Sequence, residues 1–122
     1  MKIITQVLDS MSGKSAAGVR AHLAQASSNG WNTVAEADTN SDGFIENWDG
    51  WQLQGGLYRI VFDCDRYFAE LGAVSAYPEV VVIFRILDES PAFQVQVTLA
   101  PYSYCTYFGT LNDRPGESCP NE

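Results

Sequence analysis

The run Leu99-Ala100-Pro101-Tyr102-Ser103-Tyr104-Cys105-Thr106-Tyr107 decides how this chain is read. Proline at 101 lies between two strand-like segments, residues 93–99 and 102–109, rich in the β-branched and aromatic residues that suit a pleated surface. In the second segment Cys105 and Tyr107 fall on one face by alternation.

Working outward, further segments of the same kind recur with turn signals between them: residues 3–8, 19–24, 31–37, 57–62 and 80–86. In residues 19–24 the alternation is plain. Val19, Ala21 and Leu23 take one face, and Arg20 and His22 the other, which makes His22 a solvent-facing surface residue. Residues 9–17, with their Ser and Gly, read as a loop. Residues 27–30 and 38–43 read as turns. One helix is expected, over residues 63–71. Asp63 can cap it, Tyr67, Phe68 and Leu71 share a face, and Gly72 can end it. The fold class is therefore all-β, a two-sheet β-sandwich with one short helix.

The chain has 122 residues, enough for one domain with a real core. It divides into a domain over residues 1–110 and a mobile tail over 111–122, which carries two Pro, a Gly and few apolar groups. Seven basic against fifteen acidic residues give a net charge of −8. Such a surface repels phosphate backbones and anionic lipid, so neither nucleic acid nor a membrane is expected as a partner. No apolar run approaches a membrane span, and the start of the chain lacks a signal-peptide stretch. Cys64, Cys105 and Cys119 are odd in number and have no zinc-ligand spacing. A reducing, cytoplasmic setting is expected.

Read with Thr5-Gln6-Val7-Leu8-Asp9, the opening run resembles the two signature ends of the transthyretin and 5-hydroxyisourate hydrolase family. The likeness extends through residues 58–71, Pro78-Glu79-Val80 and Pro101-Tyr102-Ser103-Tyr104. It implies a transthyretin-like sandwich assembled as a homotetramer, with a ligand or substrate in a central channel. The alternating apolar faces of residues 93–99 and 102–107 favour such an assembly too, being extensive for a lone sandwich of this size.

The resemblance also locates what has changed. The family's hydrolase chemistry rests on two histidines, an arginine and a terminal Tyr-Arg-Gly-Ser. These places hold Gln6, Gln94, Phe44 and Tyr107-Phe108-Gly109-Thr110. Opening a cyclic ureide with water needs a group that takes a proton near neutral pH. Histidine, with a free pKa of about 6.5, supplies general-base catalysis worth ~10²–10⁴-fold, and glutamine does not. Phenylalanine at the arginine position removes the charge that would hold an anionic product.

Carried across, the family's channel positions are Gln6, Leu8, Phe44, Gln94, Gln96, Thr98, Cys105 and Tyr107, none charged at neutral pH. Gln6, Gln94 and Tyr107 are expected as the catalytic groups, and Leu8, Phe44, Gln96, Thr98 and Cys105 as the rest of the ligand-binding wall. Three readings follow. The first is an enzyme repurposed for a neutral small organic molecule, by cyclisation, isomerisation, dehydration or hydrolysis. The second is a non-catalytic carrier like transthyretin. The third is an atypical 5-hydroxyisourate hydrolase.

Competing motifs are set aside on physical grounds. Residues 38–49 place oxygen ligands and Gly43 as a calcium loop would, with Asp49 at its last position, but the flanks are poor helices and turn geometry explains Asp42-Gly43. No metal and no cofactor are expected. Gly13-Lys14-Ser15 lacks the earlier glycine of a phosphate loop. Ser103 and Cys105 have no evident base beside them. Asp9, Asp63 and Asp65 are read as cap and turn residues.

Overall fold

The structure, a computed structural model, describes residues 2–48, 54–87 and 92–111. Among these described residues nine strands and one helix follow in the order β1 (Lys2–Asp9), β2 (Lys14–Ser15), β3 (Arg20–Ser27), β4 (Gly30–Asp38), β5 (Phe44–Ile45), β6 (Gly56–Asp63), α1 (Cys64–Glu70), β7 (Glu79–Ile86), β8 (Ala92–Ala100) and β9 (Ser103–Leu111). They form two sheets. One runs β2-β1-β8-β9, with β5 also on β1, and the other runs β4-β3-β6-β7. β1 and β8 are parallel and every other pairing is antiparallel.

Alternation builds the core. Ile3, Thr5, Val7 and Asp9 of β1 and Phe93, Val95, Val97 and Leu99 of β8 are buried, while the residues between them are half-buried on the other side. Val19, Ala21 and Leu23, with Tyr58, Ile60 and Phe62, close the same core from the second sheet. Phe84, Phe93 and Phe108 meet there at centroid separations of 5.3 and 5.7 Å.

Asp63 caps α1 by accepting from the Arg66 amide at 3.3 Å, and Gly72 follows the helix with φ of 79°. Phe68 is buried and Tyr67 half-buried, but Leu71 is half-exposed at the C-cap. The helix ends at Glu70, one residue short of Leu71, so Leu71 does not join the shared face expected of it.

Several expectations are corrected. Residues 9–17 are not all loop, because Lys14 and Ser15 pair with Asp9 and Leu8. The turn at residues 38–43 leads into β5, where Phe44 pairs with Gln6. β9 runs to Leu111, one residue into the expected tail. The rest of that stretch, with Cys119, lies outside the described residues, as does Asp49 of the calcium-like run. Among the described residues, no helix is long and apolar enough to cross a membrane.

Candidate functional site

The site is built by register. In β1 and β8 the side chains not needed by the core point to the outer face of the first sheet, and β9 continues that face. Gln6 pairs with Phe44 on one side and Gln96 on the other, and Gln96 pairs with Tyr107. The next row runs Ser15, Leu8, Thr98 and Cys105. The row on the other side holds Ile4, Gln94 and Gly109. All eight positions expected from the sequence therefore share one face. Six are half-buried in the isolated chain, and Cys105 and Tyr107 are exposed.

Within that face Gln94 Nε2 donates to Gln6 Oε1 at 3.5 Å, at the long end of a hydrogen bond. The two amides steer each other and keep their remaining donors and acceptors available. Phe44 is delivered by its turn. Asn40 Oδ1 accepts from the amides of Asp42 and Phe44, both at 2.9 Å, and the Gly43 carbonyl accepts from Val7 N at 2.8 Å. Gly43 has φ of +82°, and a Cβ there would stand 2.6 Å from the Val7 carbonyl oxygen. Only glycine fits, so turn chemistry is what lays Phe44 beside Gln6.

The oxygens of the calcium-like run are spent elsewhere. Asp38 pairs with Arg20, Thr39 Oγ1 is buried between Val19 N and the Ala16 carbonyl, and Asn40 holds the turn. Among the described residues, no three His, Cys, Asp or Glu side chains gather as metal ligands would.

One group that the sequence reading passed over lies beside the site. A cavity of about 360 Å3 opens off the Leu8–Thr98 row, lined also by Asp9, Ser10, Gly13, Lys14 and Ser15. Lys14 is the basic residue of that lining. Asp9 is spent: Oδ1 accepts from the amides of Met11 and Ser12 at 2.8 and 3.2 Å, and Oδ2 accepts from the Tyr67 hydroxyl at 2.7 Å. Burial, and then the Asp9 carboxylate, push the Tyr67 phenol well above its ordinary range, so it stays a donor. Gly13-Lys14-Ser15 fails as a phosphate loop and becomes a wall only once β2 docks on β1.

The remaining nucleophiles and bases stand apart. His22 belongs to the second sheet. It lies on the outer face as alternation requires, yet it is half-buried rather than exposed, in a hollow of about 620 Å3 with Arg20, Val61, Asp63 and Glu79. It stands between Glu36 of β4 and Val61 of β6, and neighbours across the sheet are invisible to alternation along one strand. Cys64 is buried, and burial pushes its thiol up to about 11, so it is no nucleophile at neutral pH. Ser103 sits at the start of β9 opposite Ala100.

Comparison with known proteins agrees with this architecture. The HIUase/Transthyretin family profile matches residues 3–109. The chain belongs to that family. It is 37% identical over 111 residues to the 5-hydroxyisourate hydrolase of Mus musculus, covering 88% of this chain and 94% of that protein. Among solved structures, transthyretin from Sparus aurata superposes with a TM-score of 0.83 at 26% identity, covering 90% of this chain and 97% of that one. Sea bream transthyretin in complex with thyroxine gives a TM-score of 0.84 at 25% identity, covering 92% and 98%. Family membership and the transthyretin-like sandwich thus stand, and this member of the family presents glutamine and phenylalanine on the face described above.

Proposed function

We propose that this chain is a divergent member of the family that binds and transforms a small organic molecule on the outer face of the first sheet. In this reading four copies close that face into the central channel of a homotetramer. The supporting observation is the register that gathers Gln6, Gln94, Gln96 and Tyr107 on one uncharged surface while the chain's one histidine sits on the other sheet. Amides and a phenol donate and accept hydrogen bonds without titrating near neutral pH. They suit carbonyl, hydroxyl or enol groups, and Phe44 and Leu8 offer flat apolar wall to a ring. The ligand is neutral where it meets the glutamines, and one acidic substituent is tolerated only toward Lys14.

Chemistry on such a face works by holding a reactive molecule in one geometry. Positioning of that kind can supply roughly 7–11 kcal/mol of a barrier, enough for a cyclisation, isomerisation or dehydration that needs no strong base. The carrier reading is favoured by the likeness to the sea bream protein in complex with thyroxine. The hydrolase reading is favoured by the identity to the mouse enzyme.

One experiment separates the three. Native mass spectrometry of the purified protein identifies assembly and any retained molecule, and incubation follows that molecule's fate alongside fresh 5-hydroxyisourate. A tetramer that converts its retained molecule, and leaves 5-hydroxyisourate to decay at the uncatalysed rate, is the expected result. A ligand released unchanged makes the protein a carrier. Rapid 5-hydroxyisourate hydrolysis makes it a hydrolase, and a monomer removes the channel.

A further inference from the structure

We propose that Gly109 is a positioning residue whose missing side chain is the seat of the Tyr107 phenol. Glycine weakens a strand interior, and inside a strand it often marks a close approach by another group. Gly109 lies within β9, opposite Gln94. It is not one of the six glycines with positive φ among the described residues, namely Gly13, Gly18, Gly30, Gly43, Gly56 and Gly72. Backbone conformation therefore gives no reason for glycine here.

The reason is steric. A Cβ on Gly109 would stand 2.5 Å from Tyr107 Oη, 2.9 Å from Cζ and 3.0 Å from Cε2. All three atoms belong to one side chain, two residues earlier on the same face. The Tyr107 ring leans along β9, and its hydroxyl end rests on the bare Gly109 Cα. Two residues of strand span roughly 6.6 Å. The lean thus carries the hydroxyl from the Gln96 row, where Tyr107 originates, to the Gln94 row. β9 is paired to β8 along its length, whereas the Tyr107 ring is exposed, so the ring gives way before the backbone does. The phenol must leave instead.

The consequence for the site rests on the functional reading given above. With the ring seated, three neutral hydrogen-bonding groups from β1, β8 and β9 face one region: the amides of Gln6 and Gln94 and the hydroxyl of Tyr107. They fit a ligand with two or more adjacent oxygen functions, such as an enol beside a carbonyl. Any residue but glycine at 109 would swing the phenol out of that set.

The test uses the whole assembled protein. A nuclear Overhauser contact between Gly109 Hα and the Tyr107 ε protons is expected in the wild type. Gly109→Ala should abolish the seat, move the Tyr107 ring resonances and lower the urea midpoint. In a Tyr107→Ala background the same Gly109→Ala change should leave the midpoint level or raise it, since no ring remains to displace. An equal loss in both backgrounds would mean that the backbone alone demands glycine, and would overturn the proposal. So would an absent Overhauser contact, which decides the matter even where Gly109→Ala does not fold. Failure of the ligand reading has a separate signature. Should Gln94→Ala and Tyr107→Phe retain the wild-type complement of co-purified small molecules by native mass spectrometry, the ligand consequence falls, while the Overhauser contact and the two-background comparison stand.

Discussion

The two sheets turn outer faces of opposite character to solvent. On the second sheet Arg20 bridges Glu36 at 2.6 Å and Asp38 at 3.3 Å, the Arg59 guanidinium lies 4.7 Å from the centre of the Trp31 ring, and Glu79 and Arg85 are exposed along β7. On the first sheet the outward residues from Ile4 to Leu8, Gln94 to Ala100 and Cys105 to Gly109 carry no charge. The acidic excess of the chain is thus not spread evenly. Charge stands where the surface meets water and is withheld from a strip of amides, hydroxyls and rings. That uncharged strip is the face on which the proposed ligand and the proposed contacts between copies are placed.

That contrast can be broken most forcefully by returning acid–base groups to the uncharged face. Gln6→His, Gln94→His and Phe44→Arg together are expected to raise 5-hydroxyisourate hydrolysis above the wild-type rate by part of the ~10²–10⁴-fold that a general base supplies. Stopped-flow decay of fresh substrate measures it. A wild type already as fast as a family hydrolase would remove the contrast altogether.

The next effect compares the two sides of one sheet. Phe93 lies beneath the uncharged face, 2% exposed and stacked on Phe108. Phe93→Ala should cost about 3–5 kcal/mol in urea unfolding, as buried aromatic truncations do. Phe44→Ala, on the outer side, should cost clearly less and act on the ligand instead.

Gln94→Ala sharpens the reading of the face itself. If the glutamine meets charge developing in a transition state, turnover should fall by up to roughly 2.7–4 kcal/mol. If it holds a carried molecule, binding should weaken by only about 0.5–1.5 kcal/mol. Titration calorimetry and turnover of the co-purified molecule distinguish the two.

Two thiols report the same contrast on a smaller scale. In a Cys119→Ser variant, Cys105 on the outer face should react with a disulfide reagent at pH 8 while buried Cys64 stays unmodified. Burial raises the Cys64 thiol from 9.0 to about 11. The unfolded chain therefore releases this proton first as pH rises. The Cys64 contribution to stability is intact below pH 9 and declines between pH 9 and about 11, and Cys64→Ala should flatten that decline in pH-dependent unfolding. The smallest effect belongs to the charged face: Arg20→Ala should leave the urea midpoint within error, because its ion pairs are solvent-exposed and screened.

What could be read without coordinates follows from short-range rules. Alternation in residues 3–8, 19–24 and 93–99 assigns each side chain to a face, because the strand period is two. Asp63 and Gly72 mark the ends of α1 because a helix leaves orphan amides and carbonyls at its termini. The family resemblance, carried across position by position, named eight residues for one surface. Their register then agreed strand by strand.

What escaped reading depends on partners far along the chain. Lys14-Ser15 and Phe44-Ile45 are strands only because β1 pairs with them; two residues carry no periodicity of their own. His22 looked exposed because one strand's alternation says nothing of the neighbours that cover it.

The sequence by itself determined the sandwich, the helix, the family and the residue types of the shared face, none charged at neutral pH, since period, capping and residue identity are local properties. Only the tertiary structure decided that Tyr67 seals Asp9 across 58 positions of chain, that Lys14 borders the site, and that Tyr107 lies on Gly109. Those contacts depend on where the packed core leaves room, which no single segment of sequence specifies.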